Sequence, residues 1–523
     1  MLFSLLQHLL ELVSSLHSVV LLDPTRLLAP LGMFESLGLL GPFGQLGPIG
    51  IDLELLALIP LVHLAGMFCA YRAIVHTRTA QGAVAWVVSL VLLPYLSVPL
   101  YVVFGRRKFQ GYMRARRSGV SEVASMGLEL RSFEEAFRSQ LPDTGDRMKA
   151  MESLAKMPFT SSNDVQLLID GSEIFPSILE GIQSAEEYVL VQFYIVRDDE
   201  LGTEFQACLI ERAKAGVRVY FLYDEIGCYQ LPNSYLDTLS RAGVHVHSFL
   251  TTRGPNNRFQ INFRNHRKIV IVDGRTTWVG GANIGDEYQG KDADVGEWRD
   301  THLRVEGPVV QCVQLSFLED WFFATGGIPD MDWTPQASEH GAMDVLSLPS
   351  GPADMIESAS LFFVHTIGCA KQRLWIASPY FVPDESVVSA LQIAALRGVD
   401  VRILLPEKAD HLLVYLSSFS YLEDLEGYGI KIYRYQPGFL HQKALLLDDD
   451  LSVVGTANLD NRSFRLNFEI TMVVANRAFA TQMEAMFEAD FARSNEVGIE
   501  NLSSRSRWFQ FAVKLSRLTA PVQ

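Results

Sequence analysis

Cysteine is scarce in this chain: Cys69, Cys208, Cys228, Cys312 and Cys369 are the only five in 523 residues, scattered and never set in a CxxC pair. That pattern excludes a disulfide framework and a cysteine-based zinc site, and reads as reduced core residues. A basic surplus is missing as well, since the formal net charge is −16. Bulk charge therefore does not hold this protein to nucleic acid or to an anionic membrane, although a local basic site remains compatible with the total. A Gly-x-x-x-x-Gly-Lys-Ser/Thr phosphate loop, a Gly-x-Ser-x-Gly elbow and a His-Glu-x-x-His helix are all absent, since Gly285 to Lys291 runs on into Asp292. Their absence removes the usual signatures of nucleotide, serine-hydrolase and zinc-protease chemistry.

Charge is also missing from two long runs, Leu55 to Tyr71 and Thr79 to Gly105. Each approaches or exceeds the roughly 20 apolar residues that a bilayer-crossing helix requires, so the pair reads as a transmembrane helical hairpin, with Pro94 and Pro99 kinking the second helix. Arg72 and Arg78 sit in the short connection, whereas Arg106, Arg107, Lys108, Arg114, Arg116 and Arg117 crowd the exit. The positive-inside rule then places everything after the hairpin in the cytoplasm, in a multi-pass protein of the cell membrane. Met1 to Leu22 is apolar but lacks a basic n-region, and Pro30 to Gly50 is dense in Gly and Pro. These stretches read as an interfacial or further helix and a turn-rich connection, not as a cleaved signal peptide. The organisation expected is an apolar segment and Gly/Pro-rich linker over residues 1–50, the hairpin over 51–105, a charged helical linker over 106–157, and two lobes over 158–345 and 346–523.

The two lobes follow from a repeat. His266, Lys268, Asp273, Gly280, Ala282 and Asn283 recur in the same register as His441, Lys443, Asp448, Gly455, Ala457 and Asn458. A chance match to the His, Lys, Asp, Gly and Asn positions is very roughly one in a hundred thousand per histidine. Ahead of each motif the pattern strand, helix, strand recurs: Tyr188 to Val196, Leu201 to Ala215 and Val217 to Tyr223, against Arg373 to Val382, Glu385 to Arg397 and Val399 to Leu405. Strands over Ile269 to Val272 and Ala444 to Leu447 follow the histidines, and further strands begin near Thr301 and Ile470. The fold class is thus α/β, with two similar lobes. If they pack about a pseudo-twofold axis, their motifs converge on one site.

Alternation along His266-Arg267-Lys268 sends His and Lys to one face of an extended segment, and the same holds for His441 and Lys443. Two His, two Lys and two Asn at one site suit displacement at a phosphodiester. Lys268, Lys443, Asn283 and Asn458 would hold the non-bridging oxygens, while one imidazole attacks phosphorus and the other handles the leaving and incoming oxygens. The scheme needs no metal and no other cofactor. Each histidine also requires a carboxylate to fix its tautomer, and strand alignment offers Asp300 in the first lobe and Glu469 in the second. Asp273 and Asp448 sit at strand ends beside turn or acidic residues, a structural position.

With these motifs the chain resembles the phospholipase D superfamily, and more narrowly the bacterial cardiolipin synthases. The narrower likeness rests on Gly280 to Tyr288, Trp298 to His302, Gly455 to Asp460, Asn467 to Ile470, and on the hairpin ending Phe104-Gly105-Arg106-Arg107. It implies two phospholipase D-like lobes whose catalytic motif residues are His266, Lys268, Asp273, His441, Lys443 and Asp448. It also implies transfer of a phosphatidyl group from one phosphatidylglycerol to another through a phosphatidyl-histidine, with His266 as nucleophile and His441 as general acid and base. The sequence departs from the superfamily at Gly281 and Thr456, where serine is frequent. Competing readings share the motif: a hydrolytic phospholipase D, another phosphatidyltransferase such as a phosphatidylserine synthase, and a membrane-tethered nuclease using Arg253, Arg258, Arg264 and Arg267. The acidic total and the hairpin weigh against nucleic acid as a partner and favour a phospholipid in a bilayer. In the tail, Trp508, Phe511, Leu515 and Leu518 share one helical face among Arg505, Arg507, Lys514 and Arg517, fitting an interfacial helix or a helix packed on the second lobe.

Overall fold

The computed structural model describes residues 53–520 apart from 78, 106, 107, 110, 114, 116–135, 142–145, 250–261, 293–295, 409, 410 and 498–504. The expectations for residues 1–50, for much of the linker over 106–157, and for Arg253 and Arg258 lie outside the described residues. The chain divides into two compact units, 1–107 and 108–523.

The first unit is helical. Leu53–His76 has 24 residues and, among the described residues, is the one helix long and apolar enough to cross a membrane, over Ile59–His76. The second uncharged run departs from the expected single helix and forms two, Ala80–Leu92 and Pro94–Phe104, joined at Leu93. The cause is local: Pro94 has no N–H to give to the Leu90 carbonyl, and Leu93 leaves the helical region at φ −130°, ψ 53°. Across the break the Ser97 hydroxyl donates to the Ser89 carbonyl at 2.9 Å, which also accepts the Leu93 N–H at 2.8 Å. Gly66 lets the helices approach closely, since a Cβ there would lie 2.6 Å from the Leu90 carbonyl oxygen. Outward-facing Leu61, Leu64, Phe68 and Ile74 remain exposed.

The second unit is built on a mixed 16-stranded sheet. At its centre Thr160–Ile169 pairs antiparallel with Met343–Ser350. Outward through the first half come Thr301–Glu306, Thr276–Gly280, Ile269–Val272, Tyr188–Phe193, Arg218–Asp224 and His245–Phe249. Outward through the second come Asn467–Ala475, Leu451–Gly455, Ala444–Leu447, Arg373–Ala377, Asp400–Pro406 and Lys431–Tyr435. The order is the same in both directions, and the last three strands of each series run parallel.

The apolar runs explain how the sheet is covered. Tyr188–Phe193, Ala444–Leu447 and Asn467–Ala475 are buried along their whole length, as strands sandwiched between helices must be. One face carries a cluster shared by both halves, with Phe317 and Trp321 from helix Val310–Thr325 beside Met483 and Phe487 from helix Arg477–Ala492. The opposite face carries a separate core in each half, around Phe205 and Trp278 in one and around Phe363 and Leu391 in the other.

Candidate active site

Each histidine backbone is fixed by a short parallel pairing with the opposite half. Arg264–Asn265 pairs with Asn467 and Phe468, so that the His266 N–H donates to the Phe468 carbonyl at 2.9 Å. Gly438–Leu440 pairs with Glu297–Arg299, so that the His441 N–H donates to the Arg299 carbonyl at 2.8 Å. In both cases the next residue along the partner segment is a carboxylate.

The carboxylates therefore cross over. His266 Nδ1 lies 2.9 and 3.0 Å from the two Glu469 oxygens, and His441 Nδ1 lies 2.7 Å from Asp300 Oδ2. Sequence alignment assigned Asp300 to the first half's histidine and Glu469 to the second's, and the structure reverses both. The inter-half strand register, which sequence spacing does not reveal, is the reason. With a carboxylate on Nδ1, that nitrogen carries the proton and Nε2 presents its lone pair.

The two carboxylates are held differently. Glu469 also accepts from the Thr456 hydroxyl (2.6 Å), the Ser463 hydroxyl (2.9 Å) and the Asn467 amide (3.1 Å). Asp300 Oδ1 accepts the Thr301 N–H at 2.9 Å and fills the space in front of Gly281, where an added Cβ would lie 2.0 Å from it. Aromatic rings wall the histidines, Tyr194 beside His266 and Trp298 and Tyr288 beside His441.

Burial lowers His266 to about 4, with Glu469 opposing the shift. Burial and Lys443 lower His441 to about 3 against the pull of Asp300. Both imidazoles are thus neutral at pH 7. Burial alone would raise the two carboxyls, but their histidines and nearby lysines hold Asp300 and Glu469 below the usual carboxylate range. Burial drops the Lys268 ammonium well below its ordinary value, with Glu469 opposing and Lys443 adding to the fall. Lys443 acts on His266 and Lys268 acts on His441, so the two motifs share one electrostatic environment. A cation held this way gains from the arrival of an anion.

The lysines lie along the strand as the alternation requires. Lys268 Nζ donates to the His266 carbonyl at 2.7 Å, and Lys443 Nζ donates to that of His441. Arg267, between them on the other face, forms a buried ion pair with Asp320 at 2.7 Å. In the second half Gln442 donates to Asp490, the residue that also pairs with Arg299. One aspartate on each long helix thus tethers the middle residue of each motif. Asn283 is engaged at both ends, its carbonyl accepting from Ile195 N–H at 3.0 Å and its amide donating to Tyr288 at 2.7 Å. Asn458 donates to Asp460 at 3.3 Å.

The motif aspartates stand apart from the histidines, at the far ends of strands Ile269–Val272 and Ala444–Leu447. Asp273 accepts the N–H groups of Glu186, Glu187 and Tyr188 at 2.8 Å each, and Asp448 those of Lys371, Gln372 and Arg373 at 2.8 to 3.2 Å. Both adopt the left-handed conformation, φ 50° and 49°, which Asp tolerates better than most residues. They cap the start of the neighbouring strand, so the structure gives them the structural position and not a place among the catalytic groups.

Several site residues escaped sequence reasoning: Tyr194, Ser463, Asp320 and Asp490. Their signal was weak, a polar residue on a helix or an aromatic just past a strand. His302 lies inside a stretch used only for family likeness. It is buried against Gly280 and lowered by burial to about 4, and its Nδ1 meets no partner among the described residues.

A family model described as Cardiolipin synthase, PLD-like domain, matches residues 178–320 and 363–491, one segment in each half. The chain belongs to the cardiolipin synthase family of phospholipase D-like proteins. Within that family it is 47% identical over 468 residues to Cardiolipin synthase A of Pseudomonas fluorescens Pf-5, covering 89% of this chain and 98% of the relative. It is 47% identical over 464 residues to Cardiolipin synthase A of Pseudomonas aeruginosa LESB58, covering 88% and 94%. Among solved structures it is similar to the phosphatidylserine synthase of Haemophilus influenzae Rd KW20, with a TM-score of 0.56 and 14% identity over 72% of this chain and 100% of that one. At that identity the likeness bears on the fold alone.

Proposed function

We propose that this enzyme of the cardiolipin synthase family joins two phosphatidylglycerol molecules by transphosphatidylation. His266 Nε2 attacks the phosphorus of the first, forming a phosphatidyl-histidine, while His441, which takes up a proton on Nε2 as the anionic phosphate binds, gives that proton to the departing glycerol oxygen. His441 then takes the proton from a headgroup hydroxyl of the second phosphatidylglycerol, whose oxygen displaces His266 from phosphorus to give cardiolipin. Lys268 and Lys443, with the amides of Asn283 and Asn458, meet the non-bridging oxygens where charge grows in the transition state. Glu469 and Asp300 hold their imidazoles in the reactive tautomer. The observation that carries this reading is the pair of carboxylate-bound imidazoles, each completed by the opposite half. Nothing in the scheme requires nucleic acid, a metal or another cofactor.

The palindromic strand order supports a pseudo-twofold axis between Thr160–Ile169 and Met343–Ser350, with two phospholipase D-like lobes over 158–345 and 346–523. The helix Leu53–His76 and the bent pair that follows it support a hairpin anchor, and the arginines at the exit of Thr79 to Gly105 support lobes on the cytoplasmic side of a multi-pass cell-membrane protein.

Membranes carrying the protein, or its His266→Ala or His441→Ala form, are given labelled phosphatidylglycerol and the products are weighed by mass spectrometry. Cardiolipin plus glycerol from the unaltered protein, absent in both variants, is expected. Phosphatidic acid as the main product would replace the transferase with a hydrolase on the same site.

A further inference from the structure

The helix Arg507–Arg517 has two unlike faces. Its inner face packs on helix Leu412–Asp424: Val513 and Ser516 are buried, and Phe509 meets Phe419 edge-on at 5.4 Å. Its outer face carries Trp508, Phe511, Leu515 and Leu518, exposed by 82, 60, 54 and 75%. The helix already has its core contact, so these four residues are surplus to packing.

Charge indicates what they meet. Residues 501–523 hold four basic residues, Arg505, Arg507, Lys514 and Arg517, and no acidic one, in a chain whose net charge is −16. Lys514 and Arg517 pair with Glu423 and Asp424, while Arg505 and Arg507 stay exposed at the start of the helix. An amphipathic helix with Trp and Phe on its apolar side and Arg at its edge fits an anionic bilayer surface.

Position agrees. Arg505 lines a cavity with Glu407, just past the end of strand Asp400–Pro406. The same end of the sheet bears Ser378, whose hydroxyl accepts from Leu459 N–H beside Asn458. Leu412 and Leu413, exposed by 68 and 55%, open the neighbouring helix there, and exposed Tyr229 follows the corresponding strand of the first half. The start of the helix, with Trp508, thus lies toward the end of the sheet that bears the site, while its last turn pairs with Glu423 and Asp424 at the other end of the neighbouring helix.

We infer that the outer face of Arg507–Arg517 seats in the headgroup layer of an anionic bilayer and holds the end of the sheet bearing the paired histidines against it. The inference rests on the reading of the substrate as a bilayer phospholipid, but its test does not depend on turnover.

The full chain is placed in nanodiscs of phosphatidylglycerol with brominated or ordinary acyl chains, alongside its Trp508→Phe form. The difference between the two proteins isolates Trp508 from the other tryptophans. Bromine should quench that contribution roughly twofold or more, and less in discs of zwitterionic lipid. The same quenching in the His266→Ala form would hold even if the reaction assigned above were wrong. An unquenched Trp508 would overturn the inference, and concentration-dependent cross-linking through Phe511→Cys in that case would make a second copy the occupant. The Trp508→Ser/Phe511→Ser form should raise KM for bilayer phosphatidylglycerol several-fold while kcat, and turnover of dispersed short-chain substrate, stay unchanged. Equal KM values would also overturn it.

Discussion

Replacing Gly281 with Thr should silence the second histidine while leaving the first intact. Gly281 and Thr456 hold the same place: Gly281 N–H donates to the Thr301 carbonyl at 3.1 Å and Thr456 N–H to that of Ile470 at 2.9 Å. One half combines Gly with Asp300, and the other combines Thr with Glu469. A Cβ at 281 would lie 2.0 Å from Asp300 Oδ1 and 2.8 Å from its Cγ, so the carboxylate must retreat by more than an ångström and lose its 2.7 Å contact with His441. Loss of the orienting carboxylate in a catalytic triad lowers kcat by about 10⁴, and a similar fall, about 5 kcal/mol of barrier, is expected here. The assay is cardiolipin formed per minute from labelled phosphatidylglycerol, with a melting curve on the same sample to establish folding. The double form Gly281→Thr/Asp300→Glu transplants the second half's arrangement and should recover a substantial part of the lost rate. Wild-type turnover in Gly281→Thr, or a folded double form no faster than the single, would refute the reasoning.

Crossed pairing makes a double-mutant cycle decisive: Glu469→Gln should be strongly non-additive with His266→Asn and nearly additive with His441→Asn, and the reverse pattern would restore same-half pairing. Asp273→Ala leaves three N–H groups without their carboxylate and should lower stability by about 1–3 kcal/mol in urea unfolding, while turnover per folded molecule below the transition changes little. His302 titrates near 4 when folded and near 6.5 when unfolded, so the unfolded chain takes up the proton first as pH falls. Stability should therefore drop between pH 6.5 and 4, by up to about 3 kcal/mol from this residue, and His302→Gln should flatten that limb of a melting-temperature profile.

The histidine pair, the lysines and both carboxylates were legible because the repeat fixes their spacing and a strand's alternation fixes their face. The strands around them were legible as apolar runs bounded by turns, and Ile269–Val272 and Ala444–Leu447 fall where the pattern puts them. What stayed hidden was partnership over 203 residues between His266 and Glu469 and over 141 between His441 and Asp300. Such pairing depends on how Asn467 and Phe468 register against Arg264 and Asn265, and neither segment carries a mark of the other. The second apolar run misled for a different reason. Composition reports that Thr79 to Gly105 is apolar, but not that the helix ends inside it, where Pro94 leaves the Leu90 carbonyl without an N–H and Leu93 departs from helical dihedrals.

The exchange of carboxylates has an evolutionary consequence. A substitution at Asp300 is inherited with the first half's gene segment but felt by the second half's histidine, so the two segments are constrained to change in step. A chain severed between Thr325 and Met343 would yield two polypeptides, each with a histidine lacking its carboxylate and a carboxylate lacking its histidine. Neither fragment would be half as active as the whole; the reacting pair would come into being only on their reunion.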